Sequence, residues 1–153
     1  MEKAHSFLTL FFCTCILFST AQELDKPVVK KLVDSGRFAF VAQTMIPSGY
    51  PSRTVDFNYD VKISKDSVVT YLPYIGKAYT GIMPGESGVN FTSTSFAYKS
   101  KYKKKKWEIS IQPKDTKEIK ELHFTVFENG NTTLFLTPVN KQSITYYGYL
   151  KAF

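Results

Sequence analysis

Beyond Cys15 this chain of 153 residues has no cysteine, and beyond His5 its only histidine is His123. The first absence removes disulfide frameworks, thiol nucleophiles and cysteine metal ligands from the rest of the chain. The second leaves no pair of imidazoles to hold a metal and little of the acid–base chemistry that histidine performs near neutral pH. No Gly-Lys-Ser or Gly-Lys-Thr follows Gly81, Gly85 or Gly88, which excludes a phosphate-cradling loop. After Phe18 there is no apolar run long enough for a spanning helix, and no segment repeats.

What is present begins at the amino terminus. Lys3 is the only cation among Met1 to His5, and Phe7 to Phe18 form an almost unbroken apolar run. Small residues follow at Ser19-Thr20-Ala21, and then polar Gln22-Glu23. This order is that of a secretory signal peptide, residues 1–21, with cleavage expected after Ala21. A retained anchor would need about 20 apolar residues, more than the run supplies. Phe12 before Cys13 and Thr14 before Cys15 are not lipidation contexts, so the product is expected to be periplasmic or secreted and not a lipoprotein. Residues 22–153 then form one β-rich domain, long enough to bury its own core. Cleavage removes Glu2 with Lys3, so the formal net charge stays at +7, which favours anionic surfaces through long-range attraction.

One stretch has helical spacing: Leu24, Val28, Val29, Leu32 and Val33, with Asp25 as N-cap, Pro27 in the first turn and Gly36 as the stop. Lys30 and Lys31 are expected to favour the negative end of its dipole. From Arg37 onward the period is two. Phe38 to Met45 reads as a strand ending at Pro47-Ser48-Gly49. Val55, Phe57, Tyr59, Val61 and Ile63 alternate with polar residues as one long strand, and Ser67 to Leu72 follows the Ser64-Lys65-Asp66 turn. Tyr74 to Gly88, broken by Gly76, Gly81, Pro84 and Gly85, reads as a mobile loop.

Phe91 to Tyr102 reads as a single strand entering a hairpin whose tip is Lys103 to Lys106, with Trp107, Ile109 and Ile111 on the return. Leu122, Phe124 and Val126 lead to Asn129-Gly130, the strongest hairpin signal in the chain, then Thr132 to Thr137 and a last strand from Ile144 to Leu150. The fold class is therefore mainly β (α+β): an N-terminal helix and an antiparallel meander of about eight strands. Such a meander protects its edges by curling into a lipocalin-like barrel or half-barrel.

Candidate motifs mostly dissolve on inspection. His123 lies on the outward register of its strand, as a solvent-facing histidine would. Asp56 to Asp60 imitates the start of a calcium loop, but Val61 stands where glycine is needed and Ser67 where glutamate is. Ser100-x-x-Lys103 lacks the partner motifs of penicillin-binding enzymes. The sequons at Asn90 and Asn131 are coincidental in this context. Two groups remain. Tyr71, Tyr74 and Tyr79 surround the long loop and are candidate contacts for a ligand or partner. Lys101, Lys103, Lys104, Lys105 and Lys106, flanked by Tyr102 and Trp107, are candidate contacts for an anionic envelope surface, nucleic acid not being expected for an exported chain.

The segments Gly36-Arg37-Phe38-Ala39-Phe40-Val41-Ala42-Gln43, Val69-Thr70-Tyr71-Leu72-Pro73-Tyr74-Ile75-Gly76-Lys77-Ala78-Tyr79 and Trp107-Glu108-Ile109-Ser110-Ile111-Gln112-Pro113-Lys114-Asp115, with the Asn129-Gly130 turn, resemble the family called domain of unknown function 4251. The resemblance implies an exported protein, mostly found in Bacteroidota, with lipocalin-like barrel topology. It implies no activity, cofactor or site residue. The expected function is that of a non-enzymatic binding or accessory protein of the periplasm or envelope, holding an apolar ligand or an envelope protein and requiring no cofactor. The alternatives are an enzyme acting on envelope saccharides through carboxylates such as Asp60, Asp66 or Glu86, and a module that adds a strand to a partner's sheet.

Overall fold

The computed structural model describes residues 24–56, 58–77 and 88–153. The expected signal peptide, Phe57, Tyr79, Glu86 and most of the 74–88 loop lie outside them. Helix α1 (Lys26–Ser35) turns Val29 and Val33 inward and stops at Gly36, whose φ of 61° is the left-handed conformation that glycine adopts without a steric penalty. Asp25 occupies the N-cap position but makes no side-chain cap bond. The expected dipole role of Lys30 and Lys31 is not realised: the last turn holds no basic residue, and Lys30 pairs instead with Asp34 on the exposed face.

Ten strands follow among the described residues, two more than expected: β1 (Phe38–Pro47), β2 (Arg53–Thr54), β3 (Asp60–Ile63), β4 (Val68–Pro73), β5 (Gly88–Ser93), β6 (Phe96–Lys103), β7 (Lys106–Pro113), β8 (Ile119–Phe127), β9 (Asn131–Pro138) and β10 (Ile144–Lys151). The surplus comes from two breaks. The long strand expected over Val55 to Ile63 is interrupted by a turn in which the Tyr59 N–H donates to the Asp56 carbonyl at 3.2 Å. Of the expected strand only Asp60–Ile63 pairs with β1 as β3, at Phe38 to Val41, while Arg53 and Thr54, just ahead of it, pair separately as β2 with Met45 and Thr44. β1 shifts register between Ala42 and Thr44, so a straight partner cannot follow it along its whole length.

The second break divides Phe91 to Tyr102 at Thr94-Ser95, and it decides the architecture. The sheet order is β5-β4-β3-β1-β10-β9-β8-β7-β6, every pairing antiparallel. Eight antiparallel steps bring the direction back to where it began, so β5 and β6 run in the same sense. Strands joined by two residues and running the same way cannot be a hairpin. They are consecutive halves of one bent strand, the first bonded to β4 and the second to β7, and this strand draws the sheet into a nearly closed barrel.

The interior is apolar and filled. The rings of Phe38 and Phe40 stand edge-on to Phe124, with centroids 6.1 and 5.8 Å away, and Tyr146, Leu122, Leu134 and Leu136 are fully buried around them. Each such side chain contributes roughly 1.5–3 kcal/mol through burial alone. Val29 and Val33 of α1 join the same core, so the helix stops one end of the barrel. That helix end also carries the β6–β7 and β8–β9 turns and the start of β1. The opposite, loop end carries residues 74–77 and the β9–β10 turn, and the β7–β8 turn lies against Ser93, the partner of Val68 at the start of β4.

Candidate functional site

The structure separates Tyr71 from Tyr74. Tyr71 points outward, half exposed, and stacks on Tyr59 with centroids 5.2 Å apart. Tyr74 is 6 % exposed, donates its hydroxyl to the Gln142 carbonyl at 2.9 Å and lies 5.2 Å beneath the Lys141 ammonium. Lys77 and Gln142 exchange two further bonds: the Lys77 N–H donates to the Gln142 side-chain oxygen at 3.2 Å, and the Gln142 N–H to the Lys77 carbonyl at 3.1 Å. Gly76 is required here, since a Cβ would lie 2.3 Å from the Tyr74 hydroxyl. One layer deeper, Tyr146 donates to the Pro73 carbonyl at 2.6 Å, and burial pushes its phenol pKa up. These bonds rivet the exit of β4 to the β9–β10 turn. They use up the polar end of Tyr74, and Tyr71 belongs to a different face.

The barrel interior offers little room. Val61, Leu72, Ile109, Ile111, Phe124 and Leu134 leave no surface that water can reach, whereas walls of a ligand-sized cavity would retain some. Thr70 is the exception in chemistry though not in packing: it is 2 % exposed, faces inward between Val61 and Phe91, and its hydroxyl has no partner. No group of three or more His, Cys, Asp or Glu side chains suited to a metal occurs among the described residues.

Of the carboxylates named by the enzyme alternative, Glu86 lies outside the described residues, and Asp60 and Asp66 are not gathered. Asp60 opens β3 and pairs with Lys62 at 3.4 Å, while Asp66 sits beyond the other end of β3 and accepts the Ser64 hydroxyl at 2.6 Å, which lowers its pKa. His123 is half-buried on the outer face, opposite Ser110 and Phe135.

The lysine hairpin is built as expected, with Lys103 paired to Lys106 across the tip. Lys104 and Lys105 both adopt positive φ, 51° and 60°, the type I′ geometry that Asn-Gly normally supplies. Lys99, Lys101 and Lys103 share the outward register of β6. Lys106 pairs with Glu108 at 3.1 Å, lowering that carboxyl's pKa, but Lys101, Lys103, Lys104 and Lys105 are exposed and form no ion pair within 4.0 Å among the described residues.

The flanking aromatics are not free stacking platforms. Trp107 is buried, and Tyr102 packs 4.8 Å from it beneath the Lys26 ammonium. Lys26 bonds Glu128 at 2.7 Å and the Tyr102 hydroxyl at 3.1 Å, and Tyr102 itself donates to Glu128. The bond from Glu128 raises the Lys26 pKa and, reciprocally, lowers that of Glu128. Tyr98 adds a bond from its hydroxyl to the Val33 carbonyl at 2.9 Å, its phenol pKa raised chiefly by burial. Together these side chains moor α1 to β6. The mooring was not legible in the sequence because its members lie more than 60 residues apart.

Nor was the clamp on the bent strand. Asp115 accepts the Ser93 hydroxyl on one oxygen, and on the other the Thr94 N–H at 2.7 Å and the Ser95 N–H at 3.0 Å. These bonds, that of Ser93 first, hold its carboxyl at about 2. The bend thus takes its polar partners from the β7–β8 turn.

Comparison with known proteins agrees with this architecture. The family model described as "Domain of unknown function (DUF4251)" matches residues 20–150. The crystal structure of a DUF4251 family protein from Bacteroides eggerthii DSM 20697 is similar to this chain, with a TM-score of 0.67 over 83 % of this chain and 87 % of that one. At 17 % identity, the likeness speaks to the fold alone. No curated protein matches. By its sequence over nearly the whole described fold, this chain belongs to the DUF4251 family.

Proposed function

We propose that this is an exported, non-enzymatic binding or accessory protein of the periplasm or cell envelope, and that it binds through its outer surface rather than by holding an apolar ligand inside the barrel. The export half of the reading rests on the order of charge, apolar run and small residues in 1–21. The binding half is carried by one observation: Val61, Leu72, Ile109, Ile111, Phe124 and Leu134, which face the barrel interior, leave no surface that water can reach. The scattered carboxylates and the outward histidine favour binding over catalysis. Native mass spectrometry of residues 22–153 isolated from its own envelope tests this directly. A co-purifying protein chain or surface-bound component is the expected result. A stoichiometric apolar adduct that survives removal of every surface contact would overturn the outer-surface reading, and detection of the intact chain with residues 1–21 in the cytoplasm would overturn export.

A further inference from the structure

We infer that the helix end of the barrel is a contact face for an anionic lipid bilayer, with the Lys103–Lys106 tip and Phe127 as its centre. This deepens the proposed function and rests on its export half. The positive charge is concentrated where the fold turns: Lys103 to Lys106 form the β6–β7 turn, and Arg37 before β1 and Lys151 at the end of β10 lie at the same ends of the strands that follow it through β8 and β9. The acids on the same end are largely spoken for. Glu128 is held by Lys26 and Tyr102, Glu108 by Lys106, and Asp34 by Lys30. Lys101, Lys103, Lys104 and Lys105 form no ion pair within 4.0 Å among the described residues, and the two nearby carboxylates, Glu108 and Glu128, are bonded to Lys106 and Lys26, so the tip keeps an excess of positive charge.

Apolar side chains stand among these cations. Phe127 is 45 % exposed on the outward register of β8, directly opposite Lys106. Val28 on the solvent side of α1 and Phe153, which lies 5.5 Å from the Arg37 guanidinium, are also exposed at this end. Basic side chains interspersed with exposed apolar ones match an anionic membrane surface, where cations meet headgroup phosphates and the apolar groups enter the boundary beneath them. A soluble polyanion needs only the first half of that pattern. Nucleic acid is not the expected partner of an exported chain, and the Trp107 ring, the largest aromatic beside the tip, is buried. The geometry of the tip argues the same way. Two lysines hold left-handed backbone where Asn-Gly would be relaxed, a strain of the kind that persists when the side chains have a use.

The test is co-sedimentation of residues 22–153 with vesicles of phosphatidylcholine alone and of phosphatidylcholine containing about one-third phosphatidylglycerol, at low and high salt. Two charge-matched variants accompany the parent. One is Lys103→Gln with Lys104→Gln and Lys105→Gln; the other is Lys117→Gln with Lys120→Gln and Lys114→Gln, exposed lysines around the β7–β8 turn. Binding only to the anionic vesicles, weakened about tenfold or more in the first variant and little in the second, is expected. Equal weakening in both would show net charge alone and overturn the assignment of this face, and no binding to anionic vesicles overturns the inference outright. Phe127→Trp supplies a readout that does not depend on losing anything: its emission should shift to the blue on anionic vesicles, and an unshifted emission overturns the placement of Phe127 at the boundary. If vesicles are ignored while a protein chain co-purifies in the native mass spectrum, the membrane inference fails and the proposed function stands.

Discussion

The carboxylate of Asp115 accepts the hydroxyl of Ser93, a fully buried residue 22 positions earlier, and so ties the β7–β8 turn to the bend at which the barrel's two sheet edges become one strand. The folded carboxyl lies at about 2, below its ordinary 3.8. A depressed carboxyl stabilises the fold above the unfolded value and loses that contribution as pH falls through the folded one. Asp115→Asn is therefore expected to lower the urea midpoint near neutral pH, with the gap to the parent narrowing between pH 3.8 and about 2. A gap that stays constant down to pH 2 would show that the charge at Asp115 is not what clamps the bend.

Gly148 is the tightest backbone approach in the barrel. A Cβ there would lie 1.9 Å from the Val41 carbonyl oxygen, a backbone atom of β1 that cannot swing away. Gly148→Ala is expected to cost about 3 kcal/mol or more, or to prevent folding, because β10 and β1 would have to separate at the register shift. Urea unfolding measures it, and a loss below about 1 kcal/mol would mean that this pair of strands is looser than described.

The tip of the lysine hairpin should respond in the opposite direction. Replacing Lys104 and Lys105, at φ 51° and 60°, by Asn and Gly relieves two left-handed residues and should raise stability by about 1 kcal/mol. The same double substitution should weaken sedimentation with anionic vesicles, so stability and binding would move apart. A double variant no more stable than the parent would remove the argument from strain.

Thr70 offers a test of how dry the interior is. Its buried hydroxyl lacks a partner, so Thr70→Val, nearly the same shape, should be neutral or stabilising by up to about 1 kcal/mol in thermal unfolding. A marked destabilisation would point to a hydrogen-bonded water inside the barrel.

Local pattern was a good guide wherever a strand's neighbours along the chain are also its neighbours in space. Expectation and structure differ by a residue or so at each end for Thr132 to Thr137 against Asn131–Pro138, and for Ile144 to Leu150 against Ile144–Lys151. These strands sit in a meander whose turns announce themselves, as at Gly130 with φ 86°. Pattern failed where the partner's irregularity decides. Val55 to Ile63 alternates faultlessly, yet only Asp60–Ile63 pairs as a strand, beside the part of β1 that precedes its register shift against β10. Thr94 and Ser95 carry no turn signal of their own, because the carboxylate that satisfies their N–H groups arrives from Asp115.

The candidate site divides in the same way. The lysine tip was visible because charge and position along the chain suffice to define it. The tyrosine cluster was not a cluster: Tyr71 and Tyr74 are three residues apart, but β4 ends at Pro73, so one ring stays on the outer face while the other folds under to meet Gln142.

The sequence by itself determined the mainly β class, the helix and its Gly36 stop, the lysine hairpin and the family, since each depends on residues close together in the chain or on their periodicity. Only the tertiary structure decided that Phe91 to Tyr102 bends to join opposite edges of one sheet, that core side chains such as Phe124 and Leu134 leave no surface to water, and that α1 comes to lie against Tyr98 and Tyr102 of β6. Barrel closure is the physical reason. It sets side by side groups separated by dozens of residues, and which end a turn faces depends on the number of antiparallel strands before it, which no local pattern contains.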